Sequence, residues 1–274
     1  MSRNPNKPAG RSPRKSAVTP RPPAISGEGA SVDIWADFRQ LTAARIGLAR
    51  TGASLATGPM LDLRLCHARA RDAVHAPLDE AQLCADLSAL NLPVLIAPSA
   101  AKDRAEYLLR PDLGRKLANA SPLTSKVRQR YDVVFVITDG LSARAMAHVK
   151  PLLAEVLPAL PDNQWCVAPL IVVRLGRVAV GDAVAAAVKA DIVVVLIGER
   201  PGLSAPDSLG AYLTWRPNRR TTDADRNCIS NIRPEGIVYS DAAFKLLHLL
   251  QTMRAQEISG VALKDTTDRL LITN

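Results

Sequence analysis

Three stretches of the chain are almost entirely apolar, and each has the length of a single strand. They are Pro93–Ala97, Val133–Ile137 and Ile192–Ile197. A fourth segment, residues 167–180, is rich in β-branched residues. Strands without polar alternation are typical of a parallel sheet that helices cover on both faces, because both faces are then buried. The pattern therefore predicts a parallel sheet.

Helical spacing of apolar residues surrounds these runs. Ser31 is a capping residue, and the spacing that follows it predicts a helix over residues 31–50. A second helix is predicted over residues 59–76, with Pro in its first turn. The last helix is predicted over residues 240–256, where the apolar positions again repeat with helical period.

The alternation of strand, loop and helix in the second half predicts an α/β fold. We predict a Rossmann-like parallel-sheet domain over residues 121–265, preceded by a helical N-terminal region over residues 31–120. Residues 1–30 are rich in Pro, Ser, Arg and Lys and have no hydrophobic period. Such a segment buries too little surface to offset its ordering entropy, so we predict a disordered basic tail. This tail is either solubilising or an address for a partner or a shell.

The net charge of +9 is unevenly distributed. Residues 1–30 carry +5, which leaves +4 on the other 244 residues. With three Trp, four Tyr and three Phe, the chain has too few aromatic residues for a base-stacking surface. We therefore expect no nucleic-acid partner, and a basic adaptor that binds nucleic acid through its tail is kept as an alternative. No apolar run reaches about 18 residues, so we expect no membrane span. Four scattered cysteines without a secretion signal predict reduced thiols and a cytoplasmic location.

Glycine-containing loops follow three of the predicted strands, at residues 139–142, 174–178 and 198–202. Ligands of open α/β sheets bind at the carboxyl ends of strands, so these loops are either ligand contacts or plain turns and helix caps. Neither a G-x-G-x-x-G sequence nor a Walker A sequence is present, which gives little support to a nucleotide phosphate site. No histidine, serine or cysteine motif indicates catalysis by this chain alone. The polar segment at residues 222–231 has Cys228 at its centre, which fits either a buried thiol among caps or a wall against a large ligand.

Several long strings together resemble one known family. They include "VVFVITDGLSARA", "LIGERPGLSAPDSLGAYLTW" and "TDADRNCISNIRPEG". These strings are similar to the small (light) subunit of ethanolamine ammonia-lyase. The resemblance implies a lyase that converts ethanolamine to acetaldehyde and ammonia by a radical mechanism, with adenosylcobalamin as cofactor. It also implies a TIM-barrel large subunit as partner, in an assembly of six heavy and six light chains. The alternative is a self-contained Rossmann-type enzyme that binds a nucleotide.

The resemblance implies three cofactor-binding residues: Val178, Glu199 and Cys228. Glu199 would accept hydrogen bonds from amide groups on the corrin rim, and the other two would offer small apolar surface. None of the four histidines has an Asp two residues before it, so the D-x-H-x-x-G motif of some cobalamin proteins is absent. The cofactor is therefore expected to be base-on, with its benzimidazole on cobalt. We expect no catalytic residue and no protein-bound metal in this chain. The family also suggests packaging in a bacterial microcompartment as an alternative to a free cytoplasmic location.

Overall fold

A six-stranded sheet forms the centre of the larger of two units into which the chain divides, Ala49–Asn274. The structure is a computed structural model that describes residues 33–42, 44–127 and 129–267. The tail predicted at residues 1–30 lies outside the described residues, as does the predicted cap Ser31. The smaller unit, Met1–Leu48, contains helix α1 within its described part.

The strands and helices are numbered here in chain order. The strands are β1 (Arg50–Thr51), β2 (Ser54–Leu55), β3 (Val94–Pro98), β4 (Tyr131–Thr138), β5 (Leu170–Arg174), β6 (Ala190–Gly198), β7 (Leu209–Trp215) and β8 (Asn227–Ile232). The α-helices are α1 (Ala36–Gln40), α2 (Thr57–His75), α3 (Glu80–Ser88), α4 (Arg104–Leu109), α5 (Ser121–Thr124), α6 (Val149–Val156), α7 (Val180–Val188) and α8 (Tyr239–Gln256). Short 3-10 helices lie at Ala143–His148, Leu157–Ala159, Asp223–Asp225 and Gly260–Ala262.

The strand order in the large sheet is β3-β5-β4-β6-β7-β8. The first four strands in this order are parallel to one another, and they come from the four apolar segments of the sequence. The α/β prediction is therefore confirmed. Strands β7 and β8 are added in antiparallel fashion, so the sheet is mixed and not purely parallel as predicted. Strand β3 lies before residue 121 but pairs with β5, so the sheet extends across the predicted boundary. The division into domains stays a prediction.

Both faces of the sheet are buried, which explains the absence of polar alternation in its central strands. Val133, Phe135 and Ile137 on β4 pack in a core that includes residues of α6 and α8. Val134 and Val136 pack in a second core on the opposite face, which includes residues of α7. All five side chains are fully buried. Side chains alternate between the two faces of a strand, so a continuous apolar run is required where helices cover both.

The helix predicted over residues 31–50 is much shorter in the structure. Helix α1 has only five residues, and its apolar neighbours Ile34 and Leu41, like Phe38 within it, are exposed. Gly47 takes a positive φ of 55°, which is incompatible with a continuing helix. Residues 50–55 form the β1–β2 hairpin. The apolar residues of this segment thus repeat with helical period, but Ile34, Phe38 and Leu41 are not buried within the described residues.

The β-rich segment predicted over residues 167–180 also divides differently. Strand β5 ends at Arg174, because Leu175 has a positive φ of 57° and turns the chain out of the sheet. Helix α7 then begins at Val180. The turn between them contains Val178, so this predicted site residue lies at the carboxyl end of β5 and not within a strand.

Two predicted helices are confirmed nearly to the residue. Helix α2 covers Thr57–His75 where residues 59–76 were predicted, and α8 covers Tyr239–Gln256 where residues 240–256 were predicted. Within the residues that the structure describes, no helix is both long enough and apolar enough to cross a membrane.

Candidate functional site

The carboxyl ends of β4 and β5 lie where the connections of the sheet diverge. The chain leaves β4 toward α6 on one face and leaves β5 toward α7 on the other. Divergence of this kind opens a ligand crevice in many α/β folds. Here α4 closes the crevice. The buried Tyr107 donates its hydroxyl to the carbonyl of Gly176 at 3.2 Å, and Arg104 donates to the carbonyl of Gly140 at 2.6 Å. The chain's own side chains thus occupy this position.

An open groove lies beside the closed crevice, at the ends of β5 and β6 and along β7 and β8. It consists of two adjoining cavities of about 410 and 430 Å³. Arg177, Val178 and Tyr212 line both cavities, Cys228 lines the first, and Glu199 lines the second. The structure therefore brings the predicted residues Val178, Glu199 and Cys228 to one surface, which we call the groove. Their contact with a cofactor stays a prediction.

Three donors hold the carboxylate of Glu199 in the groove. The hydroxyls of Ser208 and Ser230 donate to it, the latter at 2.6 Å, and the backbone N–H of Asn231 donates at 3.2 Å. Gly210 faces the same carboxylate so closely that a Cβ there would lie 2.8 Å from Oε1 of Glu199. A carboxylate has about four lone-pair sites. The orientation of Glu199 is therefore fixed, and capacity remains for one further N–H donor.

Cys228 and Tyr212 lie opposite each other on β8 and β7, and their side chains are hydrogen-bonded. Desolvation raises the pKa of the Cys228 thiol; the hydrogen bond from Tyr212 acts in the opposite direction, and the charge of Glu199 raises this pKa further. Desolvation and the neighbouring Cys228 likewise raise the pKa of the Tyr212 hydroxyl. Both groups are thus predominantly neutral at neutral pH. Cys228 is exposed, so it is not the buried thiol that the sequence left open. It provides small, uncharged surface in the wall of the groove.

A buried ion pair lies at one end of the groove. Arg226 donates two hydrogen bonds of 2.7 Å to the carboxylate of Asp182 on α7, and a third of 3.0 Å to Thr214 on β7. The side chain of Arg226 is only 2% exposed. Burial lowers the pKa of Arg226, but the bonds to Asp182 outweigh burial and hold it above its ordinary value. This pair ties α7 to β7 and to the segment that leads into β8.

Arg177 connects the groove to the closed crevice. Its guanidinium stacks on Tyr107, with its central carbon 4.2 Å from the ring centre, and Nη2 donates to the Tyr107 carbonyl at 3.3 Å. Its Nε is buried and has no hydrogen-bond partner among the described residues. An unsatisfied buried donor costs free energy. Arg177 therefore keeps one donor unused at a position that borders both cavities.

The predicted loop at residues 139–142 has mainly a structural role. Asp139 accepts a hydrogen bond from the backbone N–H of Leu175 at 2.7 Å and another from Arg104 at 3.2 Å. Burial raises the pKa of Asp139. Of this loop, Leu141 borders the groove. Asp139 thus braces the ends of β4 and β5 against each other, in agreement with the interpretation of the loop as a turn.

Sequence reasoning missed Tyr212 and Asp182, and it missed the pairing of Arg226 with Asp182. Tyr212 lies in β7, which contains a glycine and no continuous apolar run, so the strand itself was not recognised. Arg226 and Asp182 are 44 residues apart, and their pairing has no local signal. The one available signal for this pairing was the presence of Arg226 in the polar segment at residues 222–231.

Comparisons with known proteins agree with the resemblance of the quoted strings. The family model for the ethanolamine ammonia-lyase light chain (EutC) matches residues 32–264. The ethanolamine ammonia-lyase small subunit of Bradyrhizobium diazoefficiens is 51% identical over 233 residues, which cover 84% of this chain and 89% of that protein. The small subunit of Pseudomonas fluorescens is 48% identical over 237 residues, covering 84% and 86%. That of Ralstonia nicotianae is 48% identical over 240 residues, covering 85% and 89%. The chain therefore belongs to the ethanolamine ammonia-lyase light-chain family.

Proposed function

We propose that this chain is the small subunit of an adenosylcobalamin-dependent ethanolamine ammonia-lyase and that its groove forms one wall of the corrinoid site. The observation that carries the proposal is the position of Val178, Glu199 and Cys228 on one open surface at the strand ends. Membership in the family supports the reaction class. The groove supports the proposed role of this chain in that reaction, which is to bind the cofactor.

The residues present fit a corrinoid. A corrin rim carries amide side chains, which both donate and accept hydrogen bonds. Glu199 has one acceptor position left after its three bonds within the chain, and Arg177 has a buried Nε without a partner in the described residues. Val178 and Cys228 are small and uncharged, so they permit the close approach of a macrocycle. One acceptor, one donor and a neutral wall are what a large amide-rimmed ring requires.

When bound, adenosylcobalamin supplies the radical chemistry by which ethanolamine becomes acetaldehyde and ammonia. The residues of this chain bind and orient. Glu199 is fixed in position by Ser208, Ser230 and Asn231, so it holds a rim amide without losing further side-chain freedom. The neutral Tyr212–Cys228 pair would offer uncharged surface to the cofactor in the wall of the first cavity. None of the four histidines has an Asp two residues before it, so this chain would provide no cobalt ligand.

The substrate pocket belongs to the large subunit, a TIM barrel, in an assembly of six heavy and six light chains. This chain has no catalytic residue of its own in the proposal. A cytoplasmic location, with packaging in a microcompartment through the tail at residues 1–30, is part of the same proposal and rests on the family.

Corrinoid binding by the complex of both subunits tests the proposal. The complex is titrated with cobalamin and its absorption spectrum is recorded. Cys228→Arg, which places a long cation in the groove, is expected to lower the affinity at least about tenfold, which corresponds to about 1.4 kcal/mol. Cys228→Ser should retain affinity, and Gln251→Arg on the exposed side of α8 is the matched control for an added arginine. Equal affinity of Cys228→Arg and the unaltered complex would place the corrinoid elsewhere.

Activity of the separate subunit tests the division of labour. The chain alone is expected to release no acetaldehyde from ethanolamine with adenosylcobalamin, and activity should appear when the large subunit is added. Turnover by the chain alone, or by the chain with a nucleotide, would instead favour the self-contained alternative.

A further inference from the structure

The carboxylate of Asp207 lies between two side chains that it can pair with, close to the groove but outside its lining. Its Oδ1 is 3.4 Å from Nη1 of Arg233, and its Oδ2 is 3.5 Å from Nε2 of His148. The side chains of Arg233 and His148 are only 12% and 9% exposed. Asp207 is not among the described residues that line the groove. Any effect of Asp207 on a ligand there therefore passes through its neighbours.

The chain on both sides of Asp207 is held in place. Ser208 follows it directly, and the hydroxyl of Ser208 donates to the carboxylate of Glu199 in the groove. The backbone N–H of Glu199 in turn donates to the carbonyl of Ser208 at 3.0 Å. On the other side, Ser142 donates its hydroxyl to the carbonyl of Pro206 at 2.7 Å. A displacement of Asp207 would therefore move the Ser208 donor relative to Glu199.

Arg233, directly after β8, supports the other two donors of Glu199. Its Nε donates to the side-chain oxygen of Asn231 at 3.2 Å, and the backbone N–H of Asn231 donates to Glu199 at 3.2 Å. Ser230, the remaining donor, directly precedes Asn231. Asn231 has a positive φ of 60°, so the backbone changes direction at the residue that supplies this N–H. The Asp207–Arg233 ion pair thus joins the loop after β6 to the end of β8.

His148, directly before α6, faces the same carboxylate from the other side. Its Nδ1 lies 2.8 Å from the hydroxyl of Tyr239 on α8, and this contact fixes the orientation of the ring. Its Nε2 is buried and has no hydrogen-bond partner among the residues that the structure describes, with Oδ2 of Asp207 3.5 Å away. A buried polar atom without a partner costs free energy, so a carboxylate facing this nitrogen is favoured.

We infer that Asp207 is a positioning residue for Glu199, the proposed corrinoid contact. Together with Arg233 and His148, it keeps the three donors of that carboxylate in place. This inference rests on the proposed function. A ligand gains more from an acceptor that is already oriented, because ordering a side chain during binding costs affinity. A network outside the groove thus sets how well Glu199 binds, although it does not touch the ligand itself.

A double-mutant cycle on the complex of both subunits tests the inference. The complex is titrated with cyanocobalamin, and the dissociation constant is obtained from the absorption change. Glu199→Ala is expected to weaken binding about tenfold, as for the loss of one hydrogen bond to a charged group. Asp207→Asn keeps the size of the side chain and removes its charge, and it is expected to weaken binding about threefold, because the acceptor remains but is less well oriented. In the Glu199→Ala background, Asp207→Asn should cause no further loss.

A second variant and a control accompany the cycle. Arg233→Gln removes the other half of the ion pair and should show the same dependence on Glu199, so the test does not rest on one substitution. Asp86→Asn is the matched control, because Asp86 pairs with Lys150 at 3.2 Å between α3 and α6, and it should not change the dissociation constant in either background.

Steady-state kinetics of the same complex provide a second readout. Asp207→Asn should raise the KM for adenosylcobalamin about threefold and leave the KM for ethanolamine unchanged, because the substrate pocket is assigned to the large subunit. A general loss of folded complex would lower the rate at saturation without this split between the two constants.

The contrary outcomes are distinguishable. If Asp207→Asn weakens binding equally with and without Glu199, the residue supports the fold in general and the inference is overturned. If neither Asp207→Asn nor Arg233→Gln changes the affinity, the inference is overturned and the proposed function remains. If Glu199→Ala binds cyanocobalamin as well as the unaltered complex does, the assignment of Glu199 in the proposed function fails, and the inference fails with it.

Discussion

Replacing Asp182 with Ala is expected to lower the free energy of unfolding by about 5 kcal/mol, the upper end of the range for breaking a buried ion pair. The substitution removes both 2.7 Å bonds to Arg226 and leaves its guanidinium in a site where the side chain is 2% exposed. The remaining partners are weak or solvated. Thr214 accepts one bond at 3.0 Å, and Asp223, at 3.5 Å, is 86% exposed. The cost is therefore mainly that of a buried charge without compensation.

Removing the other partner is expected to cost less. In Arg226→Ala the group left behind is Asp182, whose side chain is 17% exposed and borders an open cavity of about 930 Å³ beside α7. Water reaches this carboxylate, so the expected loss is about 3 kcal/mol, the lower end of the same range. The double variant Arg226→Met with Asp182→Leu replaces both charges by apolar groups and should recover most of the loss, because neither charge is then stranded.

Urea denaturation measures these differences, with Trp215, the residue after Thr214 on β7, among the fluorescent probes. Lys150→Ala is the control. Lys150 pairs with Asp86 at 3.2 Å, but the two side chains are 46% and 39% exposed, so the expected loss is below about 1 kcal/mol. A double-mutant cycle on Arg226 and Asp182 then gives their coupling energy.

The order of the two single variants decides whether the reasoning is correct. If Arg226→Ala costs as much as Asp182→Ala or more, solvent access to the remaining charge is not what sets the cost. If both cost under about 1 kcal/mol, the pair behaves like a surface salt bridge and the end of the groove is not rigidly tied to α7.

Three further predictions use other parts of the site. Gly198→Ala should lower the free energy of unfolding by about 1–3 kcal/mol, because the added Cβ would lie 2.1 Å from the backbone oxygen of Ser142. Gly58→Ala is the control: a Cβ there would have no atom within 4 Å, so urea denaturation should show no loss of stability or a gain. Tyr212→Phe should move the pH midpoint of iodoacetamide alkylation at Cys228 upward, because it removes a hydrogen bond that lowers the thiol pKa; a downward movement in peptide mass spectrometry would contradict this. Burial raises the pKa of Asp139, so the folded state holds the carboxyl proton of Asp139 more tightly than the unfolded chain does. The stability of the protein relative to Asp139→Asn should therefore be greatest below the unfolded pKa of about 3.9 and should decrease as the pH rises through the folded pKa. An increase of this relative stability with pH would refute the prediction.

The parallel part of the sheet was predictable because burial on both faces leaves a direct trace in the sequence. Strands β4 and β6 have continuous buried runs, which are typical of strands whose sheet is covered by helices on both faces. Strand β8 has no such trace, because only Ile229 and Ile232 are buried in the sequence "NCISNI". The error at residues 31–50 has the opposite cause. The apolar spacing there is helical, but the helix ends at Gln40, and Ile34, Phe38 and Leu41 are exposed, so no buried surface supports a longer helix.

The candidate site was predictable only in part, and the part came from resemblance rather than from chemistry. No property of Val178 or Cys228 distinguishes them from other small residues until the fold places both beside Tyr212. The polar support of Glu199 comes from Ser208, nine residues away, and from Ser230, which is 31 residues away. Contacts over such separations depend on the sheet order, which the sequence did not reveal for β7 and β8.

The closed crevice gives a physical reason to prefer a large ligand over a nucleotide at the groove itself. In a doubly wound nucleotide-binding fold, the phosphate lies between diverging strand ends, where glycines allow it close to the backbone. Here Tyr107 fills that space, bonded to Gly176 and covered by Arg177 at 4.2 Å. A ligand of this chain must instead lie across the strand ends and over the antiparallel edge, from Val178 to Cys228. In the proposed function, this surface would hold a flat molecule between this chain and a second polypeptide. The filled crevice therefore agrees with the proposal that this chain acts together with a large subunit and does not bind a nucleotide by itself.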